Sequence, residues 1–342
     1  MRDSSVKLAH LDVCLNSDVE YKKSAGFERY NFINQAACDV SLLAIDLSVQ
    51  FVGKRLKAPL MIAPMTGGVQ RGFELNQIWA RTAERAQIAM AVGSQRVGLE
   101  NHDRVQFYKI RQDAPTTVIF ANIGAGQLCQ GWGVDEAKCA VDMIEADALF
   151  IHLNAIQEAC QGGDVDFSNL NFKIHAVCEA LHRDGVPVFA REVGFGISEQ
   201  AAKRLIDCGV SGIDCAGAGG TSWAKVEGLC AKSERRRQIG LAFAEWGIPT
   251  TRSILNVRSM SKEIPLIATG GLRSGIDVAK AIALGANIGA MARPMLVAAD
   301  KGQEALDQFV DNVIDEIRVC MFGVGVKSLD NLLLGSSLHL LE

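Results

Sequence analysis

The densest group of chemically capable side chains in this sequence lies around the end of the apolar run 148–153. Within seven residues the chain places His152, Asn154, Gln157 and Glu158. If the run is a strand, alternation sends His152 and Asn154 to one side, and Gln157 and Glu158 lie just beyond its end. Taken singly, His152 is compatible with a hydrogen-bonded core residue and Glu158 with a first-turn helix acid. Four such groups together favour a catalytic or binding site.

A second group of residues has the composition of a phosphate site. Residues 269–275 read Thr-Gly-Gly-Leu-Arg-Ser-Gly, and residues 292–294 read Ala-Arg-Pro. Gly270 and Gly271 let the backbone approach an anion, a helix start supplies free N–H groups, and Arg273 adds a positive charge. The alternative is that these glycines only form tight turns. We favour a phosphate site because the position and the charge agree.

Polar residues and glycines also follow other apolar runs. The sequence reads Met-Thr-Gly-Gly at 65–68, Gly-Ser-Gln-Arg at 93–96 and Asn-Ile-Gly at 122–124. Such residues suit the heteroatom edge of a flat ring such as a flavin, although each Ser or Asn alone is compatible with a helix cap. Arg191 adds a cation that could hold negative charge at the flavin N1 atom, or else form an ion pair with Glu192 or another neighbour.

The elements that must position these residues alternate regularly. Short apolar runs, bounded by Gly, Pro or a polar residue, are typical of strands buried on both faces. The predicted strands are 59–64, 88–93, 117–122, 148–153, 186–191, 212–216, 264–269 and 287–292. The predicted helices are 73–86, 102–113, 134–145, 169–183, 198–208, 236–260 in broken form, 275–284 and 302–321.

This alternation predicts an α/β fold of the (β/α)8 TIM barrel type, in which every strand end named above meets at one mouth. A doubly wound sheet has the same alternation and is the alternative. We expect a single domain over 1–342, with an N-terminal extension at 1–57, the barrel at 58–322 and a C-terminal tail at 323–342. The extension and a long insertion after strand six, 217–263, are candidate covers of the mouth.

The composition excludes several classes of protein. The chain has 49% hydrophobic residues and a net charge of −4 at pH 7, which indicates a large core and gives no reason to expect a nucleic-acid partner. The ten cysteines occur singly, without a CxxC pair, as is usual in a reducing compartment. No stretch reaches the ~20 apolar residues that cross a bilayer, and the N-terminus lacks an apolar signal core. The sequence therefore predicts a cytoplasmic enzyme without a membrane partner.

The same stretches resemble the type 2 isopentenyl diphosphate isomerases, which are FMN-dependent barrels. The resemblance runs in order from residue 7 to about residue 294. It is carried by KLAHLDVCL, IDLSVQFVGKRLKAPLMIAPMTGG, AMAVGSQR, HLNAIQE followed by GGDVDF, REVGFGIS, GAGGTSW followed by Glu227, and ATGGLRSGIDVAKAIALGA. The 2-hydroxy acid oxidases share the phosphate loops but not the HLNxxQE motif.

The resemblance implies roles for individual residues. FMN would contact Met65, Thr66, Gly67, Ser94, Asn122, Arg191, Thr221, Gly270, Gly271, Arg273, Met291 and Ala292. The prenyl diphosphate substrate would contact Lys7, His10, Ser94, Gln95, Arg96 and His152. Gln157, beside His152 and Asn154, would reach the allylic part of the substrate, and Glu158 would bind Mg²⁺.

The reaction that the resemblance implies is the interconversion of isopentenyl and dimethylallyl diphosphate. Reduced FMN would act as acid and base, and NADPH would be needed only to reduce the flavin initially. We also expect a homo-oligomer.

Three residues depart from the family pattern: Val6 replaces an arginine, Arg191 a lysine and Ala216 a serine. The departures keep alternatives open: an FMN oxidoreductase of the 2-hydroxy acid oxidase kind, a prenyl-diphosphate flavoenzyme with an altered substrate, or a non-catalytic relative that binds flavin or prenyl diphosphate.

Overall fold

A computed structural model of the chain describes residues 2–334 and 337–341. Eight parallel strands close into a barrel in which each strand pairs with the next and the last pairs with the first. The barrel strands are β1 Leu60–Ile62, β2 Ala89–Ala91, β3 Ile119–Gly124, β4 Ala148–Leu153, β5 Val188–Glu192, β6 Gly212–Asp214, β7 Leu266–Thr269 and β8 Ile288–Met291. The (β/α)8 prediction is confirmed, and the doubly wound alternative is wrong because this sheet closes on itself.

Helices surround the barrel, and most of them occupy predicted segments. The α-helices are α1 Arg2–Asn16, α2 Gln70–Ala86, α3 Arg96–Glu100, α4 Ala125–Cys129, α5 Val134–Ile144, α6 Ala155–Gln161, α7 Leu170–Arg183, α8 Glu199–Asp207, α9 Trp223–Cys230, α10 Glu234–Ala242, α11 Thr250–Met260, α12 Gly275–Ala283, α13 Arg293–Asp300, α14 Gln303–Gly323 and α15 Leu329–Leu334. Ser198 and Ser274 accept hydrogen bonds from backbone N–H groups in the first turns of α8 and α12 and so cap these helices. The broken segment 236–260 becomes α10 and α11.

One predicted helix is wrong. Residues 102–113 form two short 3₁₀ segments, His102–Tyr108 and Arg111–Asp113, instead of one α-helix. Tyr108 and Ile110 are both fully buried although they lie two residues apart. In a regular helix, residues two positions apart point to different faces, so the two side chains could not both enter the core there. The backbone is instead extended at Lys109, between them.

Aromatic side chains fill the part of the barrel interior that lies away from the mouth. Phe120, Phe150 and Phe189, from β3, β4 and β5, pack together, with the ring centroids of Phe120 and Phe150 4.3 Å apart. Phe51, on a hairpin over residues 49–56 that precedes β1, contacts Phe120 and Phe189. Because side chains alternate along a strand, the residues two positions further on face the same interior, one layer closer to the mouth. Those residues are Asn122, His152 and Arg191.

The N-terminal extension lies over part of the barrel mouth. Lys7 of α1 donates a hydrogen bond to the carbonyl of Ser94 after β2 (2.8 Å). Near the other end of α1, the carbonyl of Cys14 accepts a hydrogen bond from Arg293 after β8 (2.8 Å). The following segment, residues 19–21, hydrogen-bonds to the backbone of the loop after β6. Loops from three strands therefore hold the extension in place.

The end of the chain returns to the extension. Leu338–Leu340 pairs in antiparallel fashion with Tyr30–Phe32.

Across the described ranges, no helix is both long enough and apolar enough to span a bilayer.

Candidate active site

Two cavities open at the carboxyl end of the barrel and share a wall. The first cavity lies between α1 and the loops after β2 and β4, and has a volume of about 1050 Å³ including its opening to solvent. The second cavity lies among the loops after β6, β7 and β8, and has a volume of about 570 Å³. Both are lined by Pro64, Met65, Arg191, Val193 and Trp223. An elongated ligand could therefore extend from one cavity into the other.

Backbone from three loops forms the second cavity. A Cβ atom on Gly220 would lie 2.5 Å from the Gly271 nitrogen, and one on Gly271 would lie 2.7 Å from the Gly219 carbonyl oxygen. Gly271 also has a φ of +74°, which an L side chain rarely adopts. The loops thus pack so closely that only glycine fits, and the predicted phosphate loop lies in this cavity.

Two arginines add positive charge to the second cavity, and Glu20 of the extension holds both. The Glu20 carboxylate lies 2.8 Å from Arg273 Nη2 and 2.9 Å from Arg293 Nη1. Glu20 does not line the cavity, whereas both arginines do. Glycine backbone together with two guanidinium groups is a suitable arrangement for a phosphate group.

Cations also lie in the first cavity. The Lys7 ammonium donates to the carbonyl of Ser94 (2.8 Å) and to the hydroxyl of Tyr108 (3.3 Å). Arg96 lies 2.9 Å from Glu100 and 3.5 Å from Asp164. Lys7 and Arg96 come from distant parts of the sequence, and both line the cavity beside His152 and Gln157. This end of the cavity suits a diphosphate.

His152 is held as a neutral imidazole in the wall of the first cavity. The amide nitrogen of Asn122 donates to the Val92 carbonyl (3.1 Å), which leaves the Asn122 oxygen facing His152 Nδ1 at 2.8 Å. Burial, reinforced by the positive charges of Arg191 and Lys7, lowers the pKa of His152 to about 3. This hydrogen bond therefore assigns the proton to Nδ1 and leaves Nε2 as an acceptor.

Gln157 and Glu158 lie at the start of α6 and face different partners. Gln157 donates to Glu227 at 2.7 Å. His10 of α1 lies 3.1 Å from the same Glu227 oxygen, at ion-pair distance but without hydrogen-bond alignment. Glu158 accepts hydrogen bonds from the Asn154 amide (2.8 Å) and from a loop N–H (3.0 Å). Burial raises the pKa of Glu158 above its usual value.

The structure brings most of the predicted site residues to the two cavities. The first cavity is lined by Lys7, His10, Met65, Thr66, Ser94, Arg96, Asn122, His152, Asn154, Gln157, Glu158 and Arg191. The second cavity is lined by Met65, Arg191, Thr221, Gly270, Gly271, Arg273, Met291 and Ala292.

Two predicted residues line neither cavity. The Gln95 side chain is fully buried, donates to the Ala140 carbonyl and accepts from the Asn122 N–H, so it supports the loop from below. Gly67 packs against the ring of Tyr108, where a Cβ atom would collide. Gln95 is therefore not placed to contact a substrate, and Gly67 gives room to an aromatic side chain.

Several residues at or behind the cavity walls were not predicted as site residues. They are Glu20, Asp164, Asp214, Trp223 and Glu227. Trp223 is the last residue of the GAGGTSW motif and Glu227 follows it, so this motif indicated the part of the chain in which both lie. Glu20 and Asp214 carried no signal because their arginine partners are distant in the sequence.

The chemistry of the walls fits an FMN group. Thr66 Oγ1 lines the first cavity, is buried and has no hydrogen-bond partner within 2–334 and 337–341. A buried hydroxyl without a partner indicates a missing ligand atom. The glycine loops and the pair of arginines in the second cavity fit a phosphate, and the shared wall offers Met65 and Arg191 to a ring that spans the two.

A metal ion has fewer candidate ligands. In the described part of the chain, no cluster of three or more His, Cys, Asp or Glu side chains could hold a metal ion. Glu158 nevertheless lines the first cavity, and the amide nitrogen of Asn154 donates to it. The Glu158 carboxylate fits Mg²⁺ in company with substrate phosphate oxygens and water.

Comparison with known proteins defines the class. The chain matches the FMN-dependent dehydrogenase family over residues 9–117 and 177–338. A variant of flavocytochrome b2 has a TM-score of 0.66 at 17% identity, covering 98% of this chain and 82% of that one. A mandelate oxidase variant has a TM-score of 0.64 at 18% identity, covering 99% and 98%. At this identity the two structures show a shared barrel fold.

More similar relatives narrow the family. A protein from Nostoc sp. (strain PCC 7120), named isopentenyl-diphosphate delta-isomerase, is 46% identical over 340 residues, covering 99% of this chain and 96% of the relative. A Synechococcus sp. protein of the same name is 45% identical over 318 residues, covering 92% and 90%. The chain therefore belongs to the FMN-dependent, type 2 family of isopentenyl-diphosphate delta-isomerases. The resemblance inferred from the motifs is confirmed.

Proposed function

We propose that this chain interconverts isopentenyl diphosphate and dimethylallyl diphosphate, with bound FMN and Mg²⁺ and with NADPH as the initial reductant of the flavin. The observation that carries the proposal is the meeting of Lys7, Arg96, Gln157 and Glu158 in one cavity that shares a wall with a phosphate-type cavity. A barrel that bound only a flavin would not need this second set of cations and amides.

Different residues of the first cavity would bind different parts of the substrate. Lys7 and Arg96 would bind the diphosphate, because both are cations at one end of the cavity. Glu158 would hold Mg²⁺, which would neutralise negative charge on the same phosphates. His10 and His152 line the same cavity. The neutral His152 presents an acceptor nitrogen, which suits a protonated or hydrated phosphate oxygen.

The five-carbon part of the substrate would lie toward the shared wall. Gln157 donates to Glu227, which orients its amide, and this amide would lie beside the alkene. Reduced FMN, when bound, supplies the group that adds a proton to the terminal carbon and accepts one from the methylene. Trp223 and α1 cover the cavity and exclude water that would trap a cationic intermediate.

The departures from the family pattern fall at the walls. Val6 lines the first cavity beside Lys7, Ala216 lines the second, and Arg191 lines both. Arg191 retains the positive charge of the lysine that it replaces. Val6 removes one cation, whereas Lys7 and Arg96 remain in the wall of the first cavity. The homo-oligomer and the cytoplasmic location stay predictions.

An anaerobic assay with the purified chain, FMN, Mg²⁺ and a catalytic amount of NADPH tests the proposal. We expect many molecules of dimethylallyl diphosphate for each NADPH consumed. NADPH or oxygen consumption in proportion to product would identify an oxidoreductase instead. A protein that binds FMN and the diphosphate without turnover would identify the non-catalytic relative.

A further inference from the structure

A buried ion pair lies at the wall that the two cavities share. Arg191 on β5 and Asp214 on β6 are register partners in adjacent parallel strands, and Arg191 Nη1 contacts Asp214 Oδ2. Asp214 is fully buried and Arg191 is 5% exposed. Asp214 Oδ1 also accepts a hydrogen bond from the N–H of Ala216 (3.2 Å). The carboxylate is therefore held in place from two sides.

The two members of the pair face different surroundings. Arg191 lines both cavities, whereas Asp214 lines neither. The guanidinium also lies over the ring of Phe150, 5.6 Å from its centroid, and 3.5 Å from the Thr269 hydroxyl. A ligand at the shared wall would contact the Arg191 guanidinium directly. The Asp214 carboxylate lies on the far side of Arg191 and would act on that ligand only through its charge. Few water molecules screen charges at such a buried site, so both effects are large.

The net charge at this wall is set by Arg191 together with Asp214, which contacts it, and the nearby Glu192. Burial lowers the pKa of Arg191 to about 10, which still leaves the guanidinium charged at neutral pH. A cation beside a flavin ring favours its electron-rich, negatively charged states. With Asp214 ionised the pair has almost no net charge, and that preference is largely offset.

We infer that Asp214 is a positioning residue that neutralises Arg191 and thereby keeps the reduction potential of bound FMN lower than Arg191 alone would set it. The inference rests on FMN binding and not on the identity of the substrate. It concerns a residue behind the cavity wall, which acts through its partner.

The test uses the full chain loaded with FMN, as wild type, Asp214→Asn and the double variant Arg191→Met with Asp214→Asn. Sulfite is a suitable probe. Its sulfur forms a bond to flavin N5, and the displaced π electron pair moves into the ring, giving an anionic adduct. Its dissociation constant therefore reports the positive charge near the ring. The midpoint potential is measured on the same samples.

For Asp214→Asn we expect the sulfite dissociation constant to fall about tenfold and the potential to rise by about 30 mV, the tenfold equivalent for a two-electron couple. The double variant replaces a neutral pair by a neutral pair, so both readouts should return to within about twofold of wild type, and such replacements are usually tolerated by the fold. Asp207→Asn, at an exposed position on α8, is the matched control and should change neither readout.

Two results would overturn the inference. One is an Asp214→Asn protein whose potential is unchanged or lower. The other is a double variant whose sulfite affinity differs more than about tenfold from wild type, which would indicate a structural role for the pair. The second result decides the question even if Asp214→Asn alone does not fold. Failure of the isomerase assay would leave both readouts measurable.

Discussion

The two cavities at the barrel mouth are built in contrasting ways. The second consists largely of backbone, packed so closely that Gly220 and Gly271 have no room for a side chain. The first consists of long polar side chains, such as Lys7 and Gln157, delivered from an added helix and from a strand end. Added volume should therefore damage the second cavity, whereas loss of charge or of side-chain length should damage the first.

The largest effect is expected at Gln157, the amide that Glu227 orients in the first cavity. Gln157→Asn shortens the side chain by one methylene, and a misplacement of about 1 Å near the reacting atoms can cost about 100-fold in kcat. Flavin content should stay at the wild-type level. Steady-state isomerase kinetics and flavin absorbance measure the two quantities. Gln238→Asn, at an exposed position on α10, is the control. Loss of flavin from the Gln157→Asn protein would contradict the separation of the two cavities.

A smaller effect, on FMN binding instead of turnover, is expected in the second cavity. Gly220→Ala places a methyl group against the Gly271 nitrogen. Such overpacking costs about 1–3 kcal/mol, and an intermediate cost of about 2 kcal/mol would raise the FMN dissociation constant about 30-fold. Fluorescence titration with FMN measures it. Gly323→Ala, where a Cβ atom meets nothing within 4 Å, should bind FMN normally. Unchanged FMN affinity in Gly220→Ala would show that FMN phosphate lies elsewhere.

Removing one cation from the first cavity should affect the substrate only. Lys7→Met keeps most of the side-chain volume but loses the charge, and one charged hydrogen bond contributes about 1.5 kcal/mol at the lower end of the usual range. The KM for isopentenyl diphosphate should therefore rise about tenfold, with normal FMN binding. Lys22→Met, with an exposed side chain in the extension, serves as the control. A normal KM would remove Lys7 from the diphosphate site.

The last effect is on stability and not on ligand binding, and it concerns His152 in the wall of the first cavity. Its pKa is lowered from the ordinary 6.5 to about 3, so below pH 6.5 the unfolded chain takes up a proton that the folded chain does not. The free energy of unfolding must therefore decrease as the pH falls from 6.5 toward 3. His152→Gln should make this decrease shallower. Urea unfolding at pH 7 and pH 5 measures the difference, with the exposed His102→Gln as control; equal slopes would contradict a buried neutral His152.

Local patterns predicted the barrel well because each strand is short, apolar and bounded by turn residues. They failed at residues 102–113, where Tyr108 is buried beneath Gly67 and Gly98 by contacts distant in sequence. They also placed Gln95 in the substrate site with its neighbours Ser94 and Arg96. Its side chain instead turns into the protein to bond Ala140, a direction that a motif does not encode.

The sequence by itself determined the order of the strands and the polar groups at their ends, because periodicity and strand-end composition are local properties. It also determined the family, through motifs that span most of the chain. Only the tertiary structure decided which charges meet. Glu20 joins Arg273 and Arg293 across the barrel mouth, and Asp214 faces Arg191 across a strand pair. Such pairs depend on barrel closure and strand register, which bring together residues that no local pattern connects.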